Sequence, residues 1–227
     1  MDATHHERTT MTPSLSALRR RGGLVWDNHA CMPLRPDDHA FIDQLADAHA
    51  AGVDVLSLNI GFGPQGPDEH LAMLDSFSRW LAEHADQYLL VRSVADIQAA
   101  RADDKLGVMF DVEGMVPLNC GRIDLIERFR TGGVGWMLVA YNRNNDSGGG
   151  CTDEDGGLTP YGRQVLREME RVGMIVCCSH TGHRTAREVI DAAGMPVIFS
   201  HSNCSALYDH YRNIPDDLIR ACADAGG

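Results

Sequence analysis

Two short stretches of the chain end an apolar run in Ser-His. "VCCSHTGHRT" spans 176–185 and "VIFSHSNCSA" spans 197–206, so His180 and His201 hold equivalent places in two copies of one pattern. Three more chemistry-bearing residues follow apolar runs: His29 in "GLVWDNHACM" (23–32), Glu113 in "LGVMFDVEGM" (106–115) and Tyr141 in "VGWMLVAYN" (134–142). One such histidine alone reads as a satisfied side chain at a strand end; five coincident positions weaken that reading. Imidazoles with a single carboxylate suit zinc or a similar divalent ion. A carboxylate has two oxygens and can bridge two ions. Glu113 is the best-placed bridge, with Asp111, two residues earlier on the same strand face, as its rival. Water held between two cations loses a proton near neutral pH and becomes a bridging hydroxide nucleophile, while the same ions polarise a carbonyl. The chemistry implied is hydrolysis of an amide or ester. The adjacent Cys177 and Cys178 do not suit a disulfide, since neighbouring residues rarely meet its geometry. Cys177 is expected to pack in the core, and Cys178, on the opposite face, to look inward.

Positioning those residues together requires strands that end on one side of the fold. The chain alternates strand, loop and helix. Strands are expected at 23–32, 53–61, 106–115, 134–142, 174–181 and 196–203, and helices at 37–52, 123–133, 158–173, 183–194 and 215–227. Residues 68–104 read as helical, broken near Tyr88–Ser93, and 143–157 as a loop rich in glycine and acid. Thr159 is expected to cap the helix that Pro160 begins. Strands such as "MIVCCS" and "PVIFS" are apolar on both faces, as strands covered by helices require. This is an α/β chain of about six units, consistent with a parallel TIM-type barrel, whose active site lies at the C-terminal strand ends.

The 227 residues suffice for one domain with a sizeable core, and 44% of them are hydrophobic. We expect an arm at 1–20, with His5 and His6 in a solvated tail, and a domain over 21–227. A net charge of −12 and no basic run beyond Arg19–Arg21 exclude nucleic acid as an expected partner. Seven scattered cysteines suggest a reducing, cytoplasmic setting. Neither a signal peptide nor a membrane-spanning run is expected.

The motifs together resemble the membrane dipeptidase family, peptidase family M19, over essentially the whole chain after the arm. "WDNHACMPL" resembles the family's opening D-x-H-x-D-x-P, and "DVEGM" its bridging-glutamate strand. "GLTPYGRQVLREMERVGMIVCCSH" resembles its Gly-Leu-Thr, helix, strand and Ser-His stretch, with "VIFSHSNCSAL" and "HYRNIPDDLI" following. The resemblance implies a (β/α)8 barrel holding two zinc ions. His29 would bind the first ion, Glu113 would bridge, and His180 and His201 would bind the second. Arg212 would hold the substrate carboxylate through its bidentate guanidinium. Tyr141 stands where better-known members carry a substrate-facing histidine. Two departures stand out. Cys31 replaces the aspartate of the opening motif; it either ligates the first ion as a thiolate or leaves that site weak or empty. The family also continues past "ADAGG" into two more units that supply an aspartate near the zinc pair, so a partial barrel is expected. The implied function is zinc-dependent hydrolysis of a dipeptide-like substrate, with a homodimer as one allowed assembly. The alternatives are a related amide hydrolase or tailoring enzyme on the same scaffold, and a catalytically silent homologue.

Overall fold

In "VLSLNIGF" and "LGVMFDVE" almost every side chain is buried, and the two strands divide their residues by parity. Leu56, Leu58, Ile60, Val108, Phe110 and Val112 point outward into the main helix-covered core. Ser57, Asn59, Met109, Asp111 and Glu113 occupy the alternate, inner face, where they are also buried. That inner face carries the polar residues, so it is the one that can hold a site.

A computed structural model of the chain describes residues 15–20 and 22–227. Most of the expected arm, His5 and His6 included, lies outside them; the part described, Leu15–Arg20, is helical (α1). Six parallel strands follow: β1 Trp26–Ala30, β2 Val55–Phe62, β3 Tyr88–Leu90, β4 Leu106–Glu113, β5 Val134–Leu138 and β6 Ile175–Cys177. The sheet order is β1-β2-β4-β5-β6. The intervening helices are α2 Leu45–Ala51, α3 Pro67–Glu83, α4 Val94–Ala102, α5 Leu125–Gly132, α6 Pro160–Val172, α7 His183–Ala192 and α8 Asp216–Asp224. This is the expected α/β architecture, seen as part of a barrel.

Three readings need correction. The break near residue 88 is a strand: β3 pairs with Leu106–Val108 at the start of β4, and β5 takes over further along at Phe110–Val112. Three residues carry no readable alternation, which is why β3 looked like a gap between helices. The run at 196–203 is a single bridge, Cys177↔Ile198, continued by the bond from Cys178 N to Ile198 O at 2.8 Å. The cysteine pair is also inverted. Cys177 faces inward beside Trp136 and Leu138, whereas Cys178 packs under the helices. Strand pairing at β6 ends at Cys177, and His180 takes a left-handed backbone (φ 62°), so strand parity cannot be counted back from the histidine.

Helix boundaries follow local chemistry. Thr159 Oγ1 accepts from Gly162 N at 2.9 Å, capping α6 as expected. The apolar face of α6 buries Val165, Leu166 and Met169, each contributing about 1.5–3 kcal/mol of hydrophobic stabilisation. Among the described residues, no helix is long and apolar enough to cross a membrane.

Candidate metal centre

Glu113 is the last residue of β4 and sits at the centre of the C-terminal rim. Three imidazoles converge on it. His29 Nε2 lies 3.4 Å from Glu113 Oε1, His180 Nε2 3.4 Å and His201 Nε2 3.3 Å. The His180 and His201 Nε2 atoms are 3.0 Å apart. The Cys31 thiol lies 3.4 Å from His29 Nε2. The donors fall into two groups that share Glu113: His29 with Cys31, and His180 with His201. The residues singled out in the sequence are therefore brought together.

Each histidine presents Nε2 because its Nδ1 is engaged elsewhere. His29 Nδ1 donates to Asp111 Oδ2 at 3.3 Å, and Asp111 Oδ1 in turn accepts from Asn59 at 2.9 Å. His180 Nδ1 pairs with Asn142 Oδ1 at 2.7 Å. His201 Nδ1 pairs with Ser200 Oγ at 2.8 Å, and that hydroxyl also contacts the Cys177 thiol at 3.2 Å. An oxygen on Nδ1 fixes ring orientation and aims Nε2 at the site, which is how metal-binding histidines are held. Asp111 thus backs His29. Sequence reasoning missed Asn142 and Ser200. Ser200 was visible as the serine of the second Ser-His. The matching serine, Ser179, instead accepts from the backbone N–H of His201 at 3.1 Å, so the two copies are bonded to each other.

Asn142 and His180 both adopt left-handed backbone, φ 61° and 62°. Asn and His tolerate this region better than most residues. The loop at 149–152 holds them there. Cys151 N donates to His180 O at 3.0 Å, Thr152 N to Asn142 O at 2.9 Å, and Gly182 N to Gly149 O at 2.9 Å. Gly150 must be glycine for this closure, because a Cβ there would lie 2.2 Å from Asn142 O. Asp155 anchors the loop to the start of α7 through Thr185 N (3.0 Å) and Oγ1 (2.5 Å).

The charges around the rim are uneven. Burial disfavours a proton on His29, but the bonds to Asp111 and Cys31 and the two carboxylates outweigh it and raise its pKa to about 10. Burial also raises Asp111, to about 6, against the bonds from His29 and Asn59. At neutral pH the pair is ionised, so the carboxylates collect a positive charge at this spot. His180 behaves oppositely. Burial, then Arg212, then the neighbouring histidines lower it to about 3. Burial lowers His201 as well. Both rings are neutral at pH 7 with free lone pairs.

This donor set fits divalent metal. Zinc bound to nitrogen at about 2.0–2.1 Å in tetrahedral geometry sets its ligand atoms about 3.3 Å apart; the Nε2 and Oε1 atoms are 3.0–3.4 Å apart. Tyr141 stacks on His180, with ring centroids 4.5 Å apart. Arg212 sits at the rim beyond His201, donating to His201 O and Ser202 Oγ, both at 3.1 Å.

Residues 63–227 match the family described as membrane dipeptidase (peptidase family M19). The chain belongs to that family. The matched stretch carries Glu113, Tyr141, His180, His201 and Arg212; His29 and Cys31 lie before it and join the site through the pairing of β1 with β2. Among similar proteins, dipeptidase verJ of Clonostachys rogersoniana is 28% identical over 211 residues, covering 92% of this chain and 50% of verJ. An amidohydrolase structure from Pseudomonas aeruginosa is 28% identical with a TM-score of 0.85, covering 95% of this chain and 63% of that one. A metallopeptidase from Rhodobacter sphaeroides, liganded with a phosphinate mimic of L-Ala-D-Ala, shares the fold at 18% identity and a TM-score of 0.78, covering 90% of this chain. The chain thus spans about half the length of verJ and 63% of the amidohydrolase. The membrane dipeptidase family implies a metal cofactor, and the clustered donors agree with that.

Proposed function

We propose that this protein hydrolyses a dipeptide or similar small amide with two zinc ions. The observation that carries the reading is the convergence of three imidazole Nε2 atoms on one oxygen of Glu113, at 3.3–3.4 Å. His29 and Cys31 would hold the first ion, His180 and His201 the second, and Glu113 both. When bound, such ions polarise a carbonyl and bring the ionisation of water close to neutral pH. The chain's residues supply the rest. Asp111, Asn142 and Ser200 hold the three rings in the ligating orientation. Arg212, at the rim beyond His201, suits a free α-carboxylate as a bidentate partner. Tyr141, stacked on His180 and half-buried, offers a phenol beside the reacting amide. Burial raises its pKa, so it stays protonated and can donate to an oxygen. A dipeptide satisfies this arrangement because its amide lies one residue from its terminal carboxylate.

The reading is tested by counting metal in the purified chain and measuring dipeptide hydrolysis before and after chelation. Two ions per chain, with activity lost on chelation and restored by zinc, is the expected result. A chain that binds no metal overturns it.

Cys31 gives a sharper check on the first ion. A ligating thiol must be deprotonated, so metal shields it from alkylation and its binding releases a proton. Zinc is expected to slow modification of Cys31 at least tenfold, and Cys31→Asp to keep or raise zinc occupancy. Equal alkylation rates with and without zinc would mean that the thiol is not a ligand.

A further inference from the structure

β2 and β4 fall out of step near the rim. Asn59 pairs with Asp111 but Phe62 with Glu113, so β2 carries one extra residue between them. Such a bulge re-aims side chains and is common beside active sites. It is held from both sides. On the inner face the Asn59 carboxamide brackets Gly61: Oδ1 accepts from Gly61 N at 3.0 Å, and Nδ2 donates to Gly61 O at 3.2 Å. On the helix side a Cβ at Gly61 would lie 2.3 Å from the buried His70 ring of α3, so glycine is needed there.

The bracket decides which way the carboxamide faces. A backbone N–H can only donate and a carbonyl can only accept, so Oδ1 must meet the first and Nδ2 the second. The other N–H of Nδ2 is then aimed at Asp111 Oδ1, 2.9 Å away. Asn59 and Asp111 are both fully buried. His29 Nδ1 lies 3.3 Å from each Asp111 oxygen, so both oxygens are engaged. Asp111 belongs to neither donor group, although it shares the inner face of β4 with Glu113. We propose that Asn59 is a positioning residue for the first ion. The β2 bulge sets its carboxamide, the carboxamide sets Asp111, and Asp111 sets His29 with Nε2 toward Glu113. The same bond keeps Asp111 out of the ligand set and leaves Glu113 as the carboxylate that meets the metal. The inference rests on the two-ion reading above and adds the residue that orders its first site.

The test is zinc titration of the full chain by calorimetry, in the parent and in variants whose folding is checked by circular dichroism. His29→Ala marks which ion is the first. Asn59→Ala is expected to weaken that ion about 10- to 100-fold, the range for a residue that supports a ligand, and to leave the second unchanged. Asn59→Asp sets carboxylate against carboxylate and should weaken the first ion further. Adding Asp111→Asn to Asn59→Asp again sets a donor against an acceptor, so the exchanged pair should bind the first ion more tightly than Asn59→Asp alone. A residue that only fills space would show no such recovery. An unchanged first ion in Asn59→Ala, or equal weakening of both ions, overturns the inference while leaving the two-ion reading intact. So does an exchanged pair that binds no more tightly than Asn59→Asp. Either comparison decides alone if the other variant does not fold. A parent from which His29→Ala removes no ion overturns the two-ion reading and this inference with it.

Discussion

Glu113→Gln is expected to empty both ion sites together and to lower kcat/KM by more than about 100-fold, the upper range for disturbing a single metal-site residue. The carboxamide keeps the shape of the side chain but removes the charge on which three Nε2 atoms converge. It can also present an N–H₂ to the His180 and His201 nitrogens, which have only lone pairs to offer. The apo variant should fold as well as the parent, because Asp111 still pairs with His29 once the Glu113 charge is gone. Circular dichroism and elemental analysis on the same samples separate the two effects. Loss of one ion alone would make Glu113 an ordinary terminal ligand. Asp111→Asn serves as the contrast. Asp111 contacts His29 rather than the other two rings, so that variant should weaken only the first ion.

The second large effect concerns His180 and His201. Each should cost about 100-fold or more in affinity for the same ion when changed to Ala. The double variant should cost little beyond either single change, because a site that has lost one of its two imidazoles has little left to lose. Residues sharing one partner are where additivity fails. Their Nε2 atoms stand 3.0 Å apart, so no separate ions fit them. The measurement is zinc titration of the two single variants and the double variant. Fully additive losses, or full metal content in both single variants, would sink the assignment.

The sheet was readable because buried parallel strands are apolar on both faces, and β2 and β4 have that composition along their length. Glu113 and His180 were readable because each ends or follows a buried apolar run, whereas His29 ends the largely exposed β1 and was legible from its residue type and place. What holds the donors was not. Asp111 reaches His29 from another strand, and Asn142 reaches His180 from the loop after β5. Those pairings exist only once the strands are side by side. Asn142 and His180 also sit in left-handed backbone that their residue types permit but do not announce. The inner placement of Cys177 was lost for a related reason: counting alternate residues fails where the strand stops. Short elements suffered most. β3 has three residues, and the helix expected over 37–52 is a 3-10 turn at Ile42–Gln44 leading into α2, closed by left-handed Gly52.

His29 comes from the first strand of the sheet order and His201 from just beyond the last, yet their rings stack with centroids 4.2 Å apart. The curl of the sheet brings its two ends together at this rim. A cation held there would act as a clasp. It would bind only the closed arc, so each increment of its affinity would add to the resistance of the edges against opening. The same geometry makes the clasp the last part to assemble, since contacts between the chain's most distant strands carry the largest loop-closure cost. Metal capture would then report completed folding, and metal loss would begin unfolding at β1 and at the segment around Ile198 rather than at the centre of the sheet.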